Sequence, residues 1–462
     1  MKNIFRLIIL TGLLMPMFAG CSDQLDDISP RHAIPDDKLQ DSDLPKVLNG
    51  VYAKMESYAF SGWFNDDIQG ENFATGPAAT PMLDPCNMSP SNVNSNINTL
   101  SYWRNAFSAL NQVNKLMALG YAAVDSESQS VKEIKASCHY FRAFIYYRLV
   151  THFGNVPILR ECSDEIIPIS PESEVWKFFE EDIANALSLC PTQSSKWYVS
   201  IDAINALAAR GALFQGKNTE AASYAQRVLS NSTYALVSTA KDFSSIFLPN
   251  SSSSEIIFGY VNNTRTSGYL NYYNTVNDVD GNWDYAPVRD LYDNMYNDDN
   301  SVKRIGDIRK TATFQSNPLN ANRVIKFSNG KQQLAKNDDI NHTPIIISRI
   351  SEMYLIAAEG LGKDNGGADI LHEFLVKRYK TVLSVNDIRA LSSTQWQDLL
   401  LNERRKEFYA EGMRWQDIKR TRRYDQLATL NGRTYLMYYP IPQAEIDIAG
   451  TEAYPQNPGY ND

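Results

Sequence analysis

Two carboxylates near the end of the chain have the types and spacing that acid–base chemistry needs. Glu403 and Glu407 lie four residues apart in the stretch Trp396–Arg420, so on a helix they share one face. Trp396 and Leu400 fall on that face too, which predicts that both carboxylates are buried. The pair could be a general acid and base or part of a structural ion-pair network. The network is favoured, because no histidine, nucleophile turn or metal-ligand spacing lies nearby. Its expected cations are the nearest in sequence: Arg404, Arg405, Lys406 and Arg414.

A second group of residues has the composition of a sugar-binding site. The segment Tyr269–Tyr296 is 25% aromatic, against 11% for the whole chain, and asparagines and aspartates are interleaved. Aromatic faces pack on the apolar side of a pyranose, while amides and carboxylates bind its hydroxyls. The alternative is a tyrosine-rich packed loop whose Asn and Asp residues form turns. The aspartates do not have EF-hand spacing, so no metal site is predicted.

The segment Ser61–Thr99 is also irregular, with four prolines and no sustained period. Trp63, Phe64 and Phe73 lie in it beside amides and carboxylates. Because disordered segments rarely keep so many aromatics, an ordered, elaborated loop is predicted. Composition alone selects the candidate ligand-binding residues of the two segments: Trp63, Tyr273, Trp283 and Tyr285.

Helical periods in the rest of the chain predict a scaffold that positions these two segments. Ile201–Gln215 and Asn218–Leu229 form the clearest helical hairpin, with many alanines and Gly216 between them, as in a tetratricopeptide unit. Ser348–Leu361 and Ala368–Lys380 repeat the pattern. Other helices are predicted at Lys46–Tyr58, Ser101–Leu119, Ser130–Phe153 and Glu172–Leu189, and strands at Glu255–Val261 and Arg323–Phe327. The predicted fold is mostly α, a tetratricopeptide-like helical-hairpin scaffold with long irregular insertions at about 61–99 and 231–345 and few short strands.

The first twenty residues have the pattern of a secretory signal. Lys2 and Arg6 precede a short apolar run, which ends in Ala19-Gly20-Cys21. Small residues directly before a cysteine resemble a bacterial lipobox, so Cys21 is the expected lipidation site. Residues 21–45 are polar and proline-containing and are predicted to be a flexible tether, and residues 46–462 a single helical domain.

The composition argues against several functions. The chain has a net charge of −9, whereas a protein that binds nucleic acid needs a positively charged surface. No phosphate-binding, dinucleotide-binding, metalloprotease or nucleophile-elbow motif occurs, so neither a cofactor nor catalysis is predicted. A glycosidase that keeps its two carboxylates in loops stays open as an alternative. The pairing of Cys86, Cys138, Cys162 and Cys190 also stays open.

Several segments resemble the SusD/RagB family of outer-membrane nutrient-binding lipoproteins. The most specific is ERRKEFYAEGMRWQDIKR at 403–420, followed by YPIPQAEID at 439–447 and QNPGY at 456–460. Earlier segments of the chain match in the expected order: LNGVYAKM at 48–55, RAFIYYRLVTHFGNVPI at 142–158 and ISRISEMYLIAAEG at 347–360.

The resemblance implies a lipid-anchored protein on the outer face of the outer membrane, and the acidic run SDQLDD after the cysteine agrees with that location. It implies a SusC-like TonB-dependent transporter as partner and an oligosaccharide as ligand, with no reaction catalysed. A peptide ligand is the alternative that the RagB side of the family suggests.

Overall fold

The computed structural model describes residues 39–60, 63–75, 97–189, 191–262, 285–300, 303–314, 324–327 and 343–460. Helices before residue 230 are α1 (Leu44–Phe60), α2 (Trp63–Gln69), α3 (Ile97–Ala122), α4 (Gln129–Phe153), α5 (Glu172–Ser188), α6 (Ile201–Phe214) and α7 (Asn218–Leu229). Later helices are α8 (Ala240–Ser245), α9 (Arg289–Asn294), α10 (Lys310–Thr313), α11 (Ile350–Leu361), α12 (Ala368–Arg378), α13 (Val385–Arg389), α14 (Ser393–Glu407), α15 (Arg414–Thr421) and α16 (Gln443–Ala449).

The described strands form three two-stranded antiparallel ribbons. The strands are β1 (Phe73–Thr75), β2 (Val156–Pro157), β3 (Ile169–Ser170), β4 (Ile256–Tyr260), β5 (Tyr285–Pro287) and β6 (Ile345–Arg349). β1 pairs with β5, β2 with β3, and β4 with β6. The prediction of a mostly helical fold with few short strands is confirmed.

The hairpin of α6 and α7 forms as predicted, and α11 packs against α7. Small residues make this packing close: a Cβ placed on Gly360 of α11 would lie 2.5 Å from the Asn218 carbonyl oxygen of α7. Gly216 ends the first helix with φ +74°, a conformation that glycine adopts without steric cost. Alanines such as Ala221 and Ala225 are fully buried at this contact.

The long helix α4 lies inside the larger hydrophobic cluster and is covered by α3 and α5. It is buried from Lys135 to Phe153, so its charged side chains need partners. Arg142 donates to both oxygens of the buried Asp182, at 2.8 Å each. His139 Nδ1 lies 2.7 Å from the same carboxylate. This histidine therefore has a structural role within the core.

Four local predictions need correction. The stretch Trp396–Arg420 is two helices, because the chain turns between α14 and α15, where Ala410 has φ 65° and Gly412 φ 71°. The first insertion is not all loop, since it holds α2 and β1. In the strand predicted at Arg323–Phe327, Val324 makes only an isolated bridge to Phe314. The helix predicted to begin at Ser348 begins at Ile350 instead, because the residues before it form the strand β6.

No helix within the described ranges has both the length and the apolar composition that crossing a membrane requires. The predicted signal peptide, Cys21 and most of the tether lie outside the described residues.

Candidate functional site

The ribbon of β1 and β5 joins the two insertions that the sequence selects as ligand-binding segments. Phe73 lies opposite Pro287, Ala74 opposite Ala286 and Thr75 opposite Tyr285. The ribbon continues through a hydrogen bond from the Val288 N–H to the Asn72 carbonyl oxygen, 3.2 Å long. Residues more than 200 positions apart in the chain therefore meet at one place.

The four candidate aromatics are placed unequally. Trp63 is the first residue of α2, which leads into β1, and Tyr285 is the first residue of β5. The ribbon thus links the segments that carry these two residues. Tyr273 and Trp283 lie outside the described residues. That these four side chains bind a ligand stays a prediction.

Helix α2 is held by two buried aspartates in succession. Asp66 Oδ1 lies 2.7 Å from His152 Nε2. Asp67 accepts from the Asn72 side-chain amide at 2.7 Å and from the Gly412 N–H at 2.8 Å. Burial raises the pKa of the Asp67 carboxyl to about 7, although these two hydrogen bonds oppose the shift. The start of the first insertion is therefore fixed to the core.

Residues at the end of α14 and in the turn after it contact the strand β1 and the residues just before it. The Tyr409 hydroxyl donates to the Asn72 carbonyl oxygen at 2.8 Å. Arg405 donates from Nε to Asn72 Oδ1 at 2.9 Å and from Nη2 to the Glu71 carbonyl oxygen at 3.0 Å. The rings of Phe73 and Tyr409 pack with their centroids 5.3 Å apart. The turn between α14 and α15 thus positions the ribbon.

Glu403 and Glu407 form a buried ion-pair network, as the favoured interpretation predicts. Both side chains are fully buried. Glu403 Oε2 lies 2.7 Å from Arg309 Nη2, and the Tyr379 hydroxyl donates to Oε1 at 2.7 Å. Glu407 accepts from Arg378 at 2.9 Å. The network continues through Arg349, which pairs with Glu407 at 2.8 Å, and through Glu255, Glu411 and Lys326.

None of the four cations predicted as partners forms an ion pair with Glu403 or Glu407, although Lys406 lowers the pKa of Glu403. Arg404 pairs with Asp417 at 2.7 Å, Arg405 binds the first insertion, and Lys406 donates to the Tyr379 hydroxyl at 2.9 Å. Arg414 donates to Gln426 at 2.6 Å. Arg404 and Arg405 directly follow Glu403 and point to other faces of the helix, whereas Lys406, three residues on, shares the Tyr379 hydroxyl with Glu403. The ion-pair partners come instead from three other parts of the chain: Arg304 and Arg309, Arg349, and Arg378.

The electrostatics of this pair are those of a structural network. Burial alone would raise the pKa of Glu403, but Arg309 and Lys406 lower it to about 2. Burial would also raise the pKa of Glu407, but Arg378 and Arg349 hold it well below its usual range. A general acid at neutral pH needs a raised pKa. Both carboxylates therefore stay ionised, and neither is exposed to a substrate.

One cavity beside the buried network is too small to hold a ligand of ordinary size. A cavity of about 60 Å³ lies beside Asp66, His152, Arg349 and Gln416. Small-molecule sites have volumes of roughly 300–1,000 Å³, so this cavity could not hold a sugar chain. Within the described ranges, no group of three or more His, Cys, Asp or Glu side chains has the arrangement of a metal site.

Two of the later cysteines are free thiols. Cys138 is buried and free, and Cys162 is exposed and free. Burial raises the pKa of the Cys138 thiol well above its usual value, so this thiol is unreactive at neutral pH. Cys86 and Cys190 lie outside the described residues.

The fold and the ribbon define a class of protein, a helical-hairpin scaffold in which parts of two long insertions pair with each other. The family model described as "Starch-binding associating with outer membrane" matches residues 24–213, and the model of the SusD family matches residues 262–435. The chain belongs to the SusD/RagB family.

Individual relatives agree with this assignment. SusD-like protein P2 of Formosa agariphila is 25% identical over an alignment of 505 positions, which covers 97% of this chain and 98% of that protein. A SusD superfamily protein of Bacteroides thetaiotaomicron has a similar structure, with a TM-score of 0.74, 22% identity, and coverage of 91% of this chain and 100% of that one. Surface glycan-binding protein A of the same species, solved with laminarihexaose, has a TM-score of 0.69 and 18% identity over 91% of this chain and 100% of its own.

Proposed function

We propose that this protein is a surface-exposed lipoprotein that binds oligosaccharides and delivers them to a SusC-like TonB-dependent transporter of the outer membrane. The observation that carries the proposal is the pairing of β1 with β5. It assembles the two aromatic and amide-rich insertions on a fold that is shared with a protein solved in complex with laminarihexaose. Aromatic, amide and carboxylate side chains together are the groups that recognise sugars.

The N-terminal segment supplies the location. In this proposal residues 1–20 are a lipoprotein signal peptide, Cys21 takes the lipid, residues 21–45 form the tether, and residues 46–462 form the binding domain. Each buried CH₂ of an acyl chain contributes about 0.8 kcal/mol to anchoring, so a multiply acylated cysteine holds the protein firmly at the membrane.

The proposed protein does not catalyse a reaction. The structure supports this at the one carboxylate pair that the sequence selects, since Glu403 and Glu407 are buried and ion-paired. A peptide-binding protein with the same fold is the first alternative, and a surface glycoside hydrolase the second. Both can be distinguished from glycan capture by one experiment.

That experiment is calorimetric titration of the chain that begins after Cys21 with laminarihexaose, other oligosaccharides and peptides, followed by product analysis of each mixture. We expect heat with one glycan class, no shortened products, and a Kd of about 1 µM to 1 mM, because the ligand must be released to the transporter. Binding of peptides alone would reverse the ligand assignment, and shortened glycans would show an enzyme.

The candidate aromatics provide variants for the same titration. Trp63→Ala, Tyr273→Ala, Trp283→Ala and Tyr285→Ala should each be compared with the unchanged chain. Trp283→Ala is expected to weaken binding by about 1 kcal/mol or more with folding intact. Tyr198→Ala is a matched control, because Tyr198 is 42% exposed and precedes α6 on the scaffold. Unchanged affinity in all four candidate variants would move the site elsewhere.

The anchor and the transporter need separate tests. In a bacterium that exports lipoproteins, Cys21→Ser should abolish acylation and release the protein from the outer membrane. Co-purification of the lipidated chain with the transporter of the same cell would support delivery. Exclusive recovery of the chain without any outer-membrane barrel would argue against it.

A further inference from the structure

A polar cleft of about 370 Å³ lies between α9 with the residues that follow it and α14. Its volume is within the roughly 300–1,000 Å³ range of small-molecule sites. One wall comes from α14 and holds Asn402 and Arg405, and the other holds Asn297 and Asp298. Because Arg405 also binds Glu71, the cleft adjoins both insertions.

The cleft has an apolar component as well as polar walls. Leu291 and Met295 line it, and both are only half-buried although they pack on the core. A sugar presents apolar C–H groups on one side and hydroxyls around its edge. Half-buried aliphatic side chains beside amides and a carboxylate therefore suit a sugar residue.

Arg405 has unused hydrogen-bonding capacity in this cleft. A guanidinium has five N–H donors, and Arg405 uses one on Asn72 and one on Glu71. Among the described residues no carboxylate oxygen lies within 4.0 Å of it. The neighbouring cations differ, since Arg304 pairs with Glu403 at 3.0 Å and Lys406 lies 3.8 Å from Asp307.

The remaining polar groups suit hydroxyls. Asn402 is exposed, and its amide has no partner within the part of the chain that the structure describes. Asp298 accepts from the Gly306 N–H through Oδ1 at 2.7 Å, which leaves Oδ2 for a ligand. The chain as a whole carries −9 and repels anions at long range, so an acidic ligand needs a local guanidinium.

We propose that this cleft is a subsite for an acidic sugar residue of the captured glycan, whose carboxylate binds Arg405 and whose hydroxyls bind Asn402 and Asp298. The inference depends on the proposed function and goes beyond it by naming a substrate class, a glycan that contains uronic acid. Arg and carboxylate form bidentate hydrogen bonds that neutral sugars cannot make. Arg405 therefore selects the acidic sugar, and Asn402 contributes to both acidic and neutral ones.

The test compares acidic glycans with their carboxyl-reduced counterparts. Tetragalacturonate, tetramannuronate and tetraglucuronate would each be titrated beside the same tetrasaccharide with its carboxylates reduced to alcohols. We expect one acidic form to bind, with affinity about tenfold above that of its reduced counterpart, because a charge-assisted hydrogen bond is lost on reduction. Equal affinity of the two forms would overturn the subsite.

Variants locate the effect. Arg405→Gln should lower affinity for the acidic form about tenfold more than affinity for the reduced form. Equal weakening of both forms would mean that Arg405 only positions the first insertion, and would overturn its proposed role. Asn402→Ala provides a second test if Arg405→Gln fails to fold, because Asn402 is exposed and its change should not affect folding. This variant should bind both the acidic and the reduced form more weakly. Unchanged binding in Asn402→Ala would contradict the subsite.

Arg227→Gln is the matched control, because Arg227 is exposed on α7 of the scaffold; its affinity should equal that of the unchanged protein. The outcomes also separate the two proposals. Binding of neutral glycans or of peptides alone would overturn the acidic subsite. Absence of binding to every glycan in the wider panel would overturn the proposed function itself.

Discussion

Glu403 Oε2 lies 2.7 Å from Arg309 Nη2, and neither side chain is exposed to solvent. This contact joins α14 to the second insertion across 94 residues of chain. Removing one charge from a buried pair leaves the other uncompensated, at a cost of roughly 3–5 kcal/mol. We therefore expect Glu403→Gln to lower the free energy of unfolding by that amount, measured by urea denaturation.

A surface pair provides the control for Glu403→Gln. Arg104 and Glu445 are 3.3 Å apart, with exposed fractions of 58% and 22%. Exposed pairs contribute about 0–1 kcal/mol, so Glu445→Gln should change stability little. The two proteins should also differ in how their stability depends on acid. The ionised Glu403 stabilises the folded state above about pH 4.5, and this stabilisation is lost as the pH falls towards 2. Equal costs for the two variants would contradict the buried network.

Asp67 should give the opposite pH dependence. Burial raises its pKa from the usual 3.8 to about 7. Between these values the folded protein keeps a proton that the unfolded chain has lost, so the free energy of unfolding falls as pH rises, by up to about 1.4 kcal/mol per pH unit. Asp67→Asn should remove this contribution to the slope. Parallel pH profiles of the two proteins would show that Asp67 is ionised when folded.

The packing of α11 on α7 predicts a contrast between two glycines. A Cβ on Gly360 would meet the Asn218 carbonyl oxygen at 2.5 Å, whereas a Cβ on Gly50 of α1 meets nothing within 4 Å. Gly360→Ala should destabilise the protein by about 1–3 kcal/mol through overpacking. Gly50→Ala should stabilise it by about 0.5–1 kcal/mol, because alanine is the better helix former. Thermal unfolding of both variants measures the difference, and a stabilised Gly360→Ala would refute the close approach.

The ribbon between the insertions can be tested with a disulfide. Ala74 and Ala286 are direct partners, and antiparallel partners lie about 4.5–5.5 Å apart at Cα, within the range that a disulfide spans. The double variant Ala74→Cys/Ala286→Cys should therefore cross-link on mild oxidation, which thiol titration and peptide mapping detect. Each single variant is the control. Failure to cross-link in the folded double variant would contradict the register.

Local signals predicted the scaffold well. The predicted ends of α6 and α7 agree with the structure to within one residue. Both signals that define this hairpin, the spacing of its alanines and Gly216 between the helices, lie within the hairpin itself. The break between α14 and α15 was missed, because it includes the left-handed Ala410, a conformation that no alanine signals.

Features that depend on distant residues were not predictable. The cations around Glu407 come from Arg349 and Arg378, and only the folded chain brings them together. β1 and β5 have three residues each, too few to show an alternating pattern. Composition selected the two insertions, but it could not show that they pair. The cleft beside Arg405 had no sequence signal, because its walls come from separate helices.

The ion network also makes the folded state depend on the last part of the chain. Arg309, Arg349 and Arg378 are buried by the scaffold, but their carboxylates Glu403, Glu407 and Glu411 all follow residue 400. A nascent chain that has not reached this segment would have to bury three guanidiniums against Glu255 and Asp307. We therefore expect a chain truncated before Glu403 to be strongly destabilised, because its buried guanidiniums would lack these carboxylates. Limited proteolysis should cut such a truncated chain faster than the full-length chain.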